Sequence, residues 1–187
     1  MKSFFISLLF ILCCVLVGGA IFILSGVYNM GADVPHWKAT FLLLDVARER
    51  SVSFHSNDIE PLSLGDPKLV ERGFPHYHET CRLCHGAPGV HREEIARGLY
   101  PNPPLLNSNE VQQELVDSEL FWIVKHGLKM TGMPSFGQTH TDEQIRNIVI
   151  FVRHLPVLGP KDYLSMVKAH EQDSPGEQEH HGKETME

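Results

Sequence analysis

Cys81-Arg82-Leu83-Cys84-His85 places two thiols three residues apart, with an imidazole directly after the second. On a helix the two sulfurs stand about one turn apart, so both can form thioethers to one edge of a porphyrin. The histidine then projects over the ring face and offers a nitrogen to iron. This pattern reads as covalent attachment of one c-type haem at Cys81 and Cys84, with His85 as an iron ligand. The competing chemistry is a structural zinc site. Zinc usually takes four ligands, and the remaining cysteines, Cys13 and Cys14, lie in an apolar N-terminal run. A thioredoxin-like redox pair needs no adjacent histidine and belongs beside a βαβ pattern that this sequence lacks.

A haem held in this way has a second axial position. A thioether there favours Fe(II), raises the potential and closes the iron to small oxidants. Two methionines share one loop, Lys129-Met130-Thr131-Gly132-Met133-Pro134. Met133 is the expected ligand, because Gly132 lets the backbone approach a flat ring closely and Pro134 sets its direction afterwards. Met130 follows a helix end and is expected at the haem edge. If both methionines only fill the core, the iron is open or taken by a histidine such as His126. The second ring nitrogen of His85 needs an acceptor, usually a backbone carbonyl. The Pro101-Asn102-Pro103-Pro104 loop is its natural source, with Pro103 or Pro104 as the residue.

The elements that must position these groups can be read from pattern. Asp66-Pro67 is an N-cap followed by proline at the first helical position. Val70, Phe74, Tyr77 and Cys81 then recur at helical spacing. Pro75 interrupts that run by removing an amide, which predicts a kink or two abutting helices. A short helix over about 117–126 presents Leu120, Phe121 and Val124, with Gly127 as its stop. Thr141-Asp142-Glu143-Gln144 fits a capping box. Ile145, Ile148, Val149, Val152 and Leu155 then line one face of a helix that Pro156 ends.

Outside this span the sequence changes character. Phe4 to Val27 are 24 residues without a charge, enough for a helix of about 36 Å against a bilayer core of about 30 Å. A cleaved signal has a shorter apolar core, so an uncleaved anchor is expected. Residues 28–65 hold the interface-type aromatics Tyr28 and Trp37 and a short helix to about Arg50. They serve as a spacer on the membrane or against the haem domain, or as a docking element; His36 and His55 are expected to be solvated. The tail from Glu171 to Glu187 carries six acids and one lysine and is expected to be disordered. His180 and His181 in it are expected to be solvated. Most of the net charge of −7 lies in this tail, so the folded part is near neutral and no nucleic-acid partner is indicated.

Residues 66–156 resemble a class I mono-haem cytochrome c domain. The resemblance rests on Cys81 to Gly86, the Gly73/Tyr77 pair before it, the Pro-rich middle loop, Gly132-Met133-Pro134 and the terminal amphipathic helix. The span from the anchor to Pro156 is similar to membrane-anchored mono-haem cytochromes of proteobacteria. It shares with them stretches like Ala32-Asp33-Val34-Pro35-His36 and Phe121-Trp122-Ile123-Val124-Lys125-His126-Gly127. The resemblance implies an all-α fold of three core helices around haem c. The first and last would cross near Tyr77 and the Ile148/Phe151/Val152 region, and the domain would lie in the periplasm.

The expected organisation is therefore a transmembrane anchor at 1–27, a juxtamembrane linker with a short helix at 28–65, a haem domain at 66–156, and a short helix with an acidic tail at 157–187. The leading functional expectation is a one-electron carrier tethered to the cytoplasmic membrane. It would serve a redox donor and an acceptor such as a terminal oxidase or periplasmic reductase. A fixed cytochrome subunit of a larger respiratory or dehydrogenase complex is the second. A haem peroxidase is the third and needs an open iron, which methionine ligation denies.

Overall fold

A computed structural model describes residues 1–60 and 66–173. The chain divides into two compact units, Met1–Pro35 and His36–Glu187. The first contains one helix, α1 (Lys2–Leu24). None of its residues is buried, and its mean hydropathy reaches 2.9. By length and composition it suffices to cross a membrane.

The second unit holds α2 (Lys38–Ser56), α3 (Pro67–His76), α4 (Arg82–His85), α5 (Glu94–Arg97), α6 (Asn109–Glu114), α7 (Asp117–His126), α8 (Asp142–His154) and α9 (Pro160–Asp173). A π turn, Tyr77–Cys81, joins α3 to α4. Among the described residues there is no strand, only an isolated bridge between Ala87 and Val90. The architecture is all-α, as expected.

Local chemistry sets the ends of the two central helices. Asp66 accepts from the Lys68 amide at 2.9 Å with Pro67 in the first turn of α3. Thr141 and Gln144 cap α8 reciprocally: the Gln144 amide donates to Thr141 Oγ1 at 3.3 Å and the Thr141 amide donates to Gln144 Oε1 at 2.8 Å. These helices cross at Gly73. A Cβ built there would lie 2.1 Å from the Asn147 carbonyl oxygen and 2.8 Å from Phe151 Cβ. Only a residue without a side chain lets the backbones come this close. Around the crossing, Phe74, Tyr77, Ile145, Ile148, Phe151 and Leu155 form the core, joined by Leu120, Phe121 and Val124 of α7. The first and last core helices thus meet beside the region the resemblance implied.

Pro75 lies in a run that is interrupted as expected, while two other elements differ in extent. α3 ends at His76, a π turn over Tyr77–Cys81 follows, in which the Arg82 amide bonds to the Tyr77 carbonyl, and α4 carries the run on to His85. A π turn inserts one residue into the helical path and rotates the downstream residues by about 100°. The helix expected to end near Arg50 runs to Ser56. Its last turn, rich in poor helix formers, is held by packing on α7: Val52 and Ser56 are buried, and the His55 ring lies 5.7 Å from Trp122. Tertiary burial there outweighs propensity. The short helix expected at 161–170 extends over α9 and drives Tyr163, fully buried, against Phe74 at a ring distance of 5.6 Å. So α2 and α9, which flank the 66–156 span, both pack on it. His180, His181 and the acidic tail beyond Asp173 lie outside the described residues.

Candidate functional site

Cys81 closes the π turn, while Cys84 and His85 ride on α4. The two thiols are not joined to each other. Burial pushes the Cys81 thiol up to about 12, so before any attachment it is protonated at neutral pH. Among the described residues no three His, Cys, Asp or Glu side chains converge as a metal cluster. The pair therefore lacks the partners of a structural zinc site.

His85 is oriented from behind. Its Nδ1 donates to the Pro104 carbonyl at 2.8 Å, which fixes the tautomer and leaves Nε2 with its lone pair. Of the two proline carbonyls expected for this role, the structure selects Pro104. That of Pro103 is occupied by Arg92, whose guanidinium donates to it at 2.6 Å. Burial lowers the His85 pKa from its ordinary value; the Pro104 hydrogen bond opposes this and the Arg92 charge adds to it. A neutral imidazole is the form that binds iron.

The turn after His85 is anchored by a residue eight positions earlier than the histidine. The Tyr77 hydroxyl donates to the Gly86 carbonyl at 2.6 Å, and Gly86 takes a φ of +70°, which glycine accommodates without cost. Burial raises the phenol's pKa, so the group is always a donor. On the other side Arg82 bridges to Glu93 at 2.9 Å and to the His78 carbonyl at 3.1 Å.

The methionine loop closes on itself after α7. The Leu128 amide donates to the Met133 carbonyl at 3.2 Å, and the Thr131 hydroxyl donates to the Leu128 carbonyl at 2.8 Å. The Met133 amide in turn donates to Thr131 Oγ1 at 3.0 Å. The two methionines differ sharply. Met133 is half-buried and packs against the same buried cluster as Cys81. Met130 is 62% exposed and sits at a φ of +62°, a left-handed conformation that costs a side-chain-bearing residue about 1–2 kcal/mol. His126 is exposed at the end of α7 with its ring 4.9 Å from Trp122. These residues fit a covalently held haem: two adjacent thiols, an imidazole with one bare nitrogen, and a half-buried thioether on the same cluster.

Sequence patterns did not point to Arg92, nor to the contacts that α9 makes behind the motif. There the Tyr163 hydroxyl lies 2.9 Å from His78 Nδ1, and His170 Nε2 lies 2.8 Å from Glu79. None has a spacing signature, because each joins residues far apart in the chain or fills a loop.

A two-helix crossing at a glycine, a helix-borne Cys-x-x-Cys-His and a methionine loop before the last core helix define a class I cytochrome c domain. Residues 68–152 match the family model described as cytochrome C oxidase, cbb3-type, subunit III. No curated protein matches the chain. A domain of this class carries covalently bound haem c and transfers electrons, with redox partners in respiratory chains.

Proposed function

We propose that the protein is a one-electron carrier tethered to the outer face of the cytoplasmic membrane. Its single haem c would be held by thioethers to Cys81 and Cys84 and by axial His85 and Met133. When bound, the group supplies an iron that cycles between Fe(II) and Fe(III). This chain's own residues orient His85 through Pro104, bring Met133 rather than Met130 against the buried cluster, and keep the site packed. The observation that carries the reading is the contrast between half-buried Met133 and exposed Met130, taken with the bare Nε2 of His85. With His85 and Met133 both on iron, the group would suit electron transfer rather than peroxidase chemistry.

The anchor reading is supported by α1, which is long and apolar enough for a single span; the periplasmic side of the haem domain is taken from the resemblance. Of the 38 residues between the anchor and the haem domain, α2 takes up 19, so the link from α1 to α2 is residues 25–37. Holding a haem close to membrane partners raises its effective concentration toward the millimolar range. The family description favours a second reading, a fixed subunit of an oxidase-type complex.

Two experiments test the reading, one against the enzyme and one against the subunit. Ferric protein should show the weak far-red sulfur-to-iron band of methionine ligation; a high-spin ferric spectrum would return the enzyme reading. Mild detergent extraction of native membranes should release the protein alone. Stoichiometric co-purification with other subunits would replace the carrier with the subunit.

A further inference from the structure

Helix α2 is apolar on two faces, and the fold uses one. Its packed side buries Val52 and Ser56 against α7. Its other side leaves Leu42 63%, Leu43 70%, Val46 47% and Phe54 73% exposed. At about 100° per residue these four fall within about 120° of the helix circumference, with Ser53 and Arg50 between them and Glu49 at the margin. Leu42, Leu43 and Val46 form one exposed apolar group and Phe54 a second, about two turns further on the same side. Apolar residues grouped on one side in this way mark a surface that is covered in the working protein.

The charges on α2 say what covers it. Arg48 pairs with Asp45 at 2.6 Å and approaches Glu49 at 3.8 Å, and with Lys38 and Arg50 the three bases of α2 exceed its two acids by one. Arg50, inside the stripe, and Lys38, at the helix start, have no carboxylate partner among the described residues. The surface is apolar with unpaired positive charge. An apolar protein groove would bury the Arg50 guanidinium without a partner, at a large desolvation cost. A bilayer surface instead lets its stem lie among acyl chains while the head reaches lipid phosphates. Chain connection adds to this, since α2 begins only thirteen residues after the apolar α1.

We infer that α2 lies on the anionic bilayer surface as an interfacial helix. Leu42, Leu43, Val46 and Phe54 sit at the headgroup–acyl boundary, and Arg50 engages phosphates. Packed on α7 by its other face, the helix sets which side of the cytochrome domain turns toward the membrane. This rests on the anchor reading above.

The test uses the full-length haem-loaded protein with Cys13→Ser and Cys14→Ser, carrying one nitroxide label at a time in nanodiscs. The label sites are Val46→Cys on the stripe, Val17→Cys in α1 and Glu114→Cys on α6 as a water-exposed reference. Collisional accessibility to oxygen and to an aqueous nickel chelate reports depth. In discs containing phosphatidylglycerol, the Val46 label should be several-fold more shielded from nickel than the Glu114 label. Arg50→Glu, or discs of phosphatidylcholine alone, should reverse much of that shielding. A Val46 label as nickel-accessible as Glu114, with Val17 deep in the bilayer, overturns this inference and leaves the anchor standing. A water-accessible Val17 label overturns both. Shielding of Val46 that needs added membrane proteins assigns the stripe to a protein partner and overturns the lipid assignment.

Discussion

The hydroxyl of Tyr77 donates to the carbonyl of Gly86 over 2.6 Å, tying the π turn that precedes the Cys-x-x-Cys-His helix to the residue just after its histidine. The two ends of the attachment segment are thereby clamped by one buried bond. Tyr77→Phe keeps the ring and removes the donor, stranding a carbonyl on a residue that is itself buried. Urea unfolding of the haem-loaded protein should show a loss of about 1–3 kcal/mol. An unchanged midpoint would mean that the clamp carries no stability.

The crossing of α3 and α8 is set at Gly73, where a Cβ would come within 2.1 Å of the Asn147 carbonyl. Gly73→Ala forces the helices apart and should cost about 1–3 kcal/mol or more. Gly98 is the control, since a Cβ there meets nothing closer than 3.7 Å; Gly98→Ala should stay within about 0.5 kcal/mol. Equal thermal shifts for the two would refute the close crossing.

Met133→Leu should abolish the far-red band of the ferric protein while the covalent haem remains. Met130→Gly should keep the band and leave stability equal or up to about 1 kcal/mol higher, because it relieves a left-handed side-chain-bearing residue. Loss of the band in the Met130 variant alone would move the axial assignment to that residue.

His78 faces Tyr163 of α9 and lies beside the His170 ring. Its pKa is lowered by burial first, then by Arg82 and His170, against the opposing charges of Glu79 and Glu171. A histidine with a folded pKa below its unfolded 6.5 contributes stability that is complete above 6.5. That contribution is lost as pH falls from there through the folded value, because the unfolded chain binds the proton first. His76, lowered by burial and by His140, acts in the same direction. Stability should therefore fall on acidification below pH 6.5, and His78→Gln should flatten that slope. A slope unchanged in the variant would assign it elsewhere.

Arg153 of α8 holds the segment that precedes α7. It pairs with Asp117 at 2.6 Å and donates to the Gln112 carbonyl at 2.9 Å and to the Leu115 carbonyl. It also donates to Gln112 Oε1 at 3.0 Å. Its side chain is largely buried, so Arg153→Ala strands four acceptors at once and should cost about 2–4 kcal/mol. Arg153→Lys should rescue little of this, since an ammonium cannot reproduce the planar fork. Full rescue by lysine would show that only the charge mattered.

The attachment motif, the methionine loop, the capping box of α8 and the apolar α1 were legible in the amino-acid sequence, because each depends on residues close together in the chain. Spacing sets the reach of two thiols and a histidine. A run of uncharged residues sets a helix's ability to cross a bilayer. Periodicity sets the face that α8 buries. None of these needs to know what lies opposite.

What lies opposite was decided by tertiary structure alone. Gly73 stood out in the sequence only through the resemblance; the physical reason for a glycine there, the Asn147 carbonyl against it, is tertiary. Nothing local separates the carbonyls of Pro103 and Pro104; the placement of Arg92 and His85 in space assigns one to each. The continuation of α2 to Ser56 and the burial of Tyr163 on α9 arise because α7 and Phe74 offer surfaces to cover, and covering them outweighs weak local preference. The exposed stripe of α2 becomes visible only by subtraction, once the fold has shown which of its two apolar faces is already used.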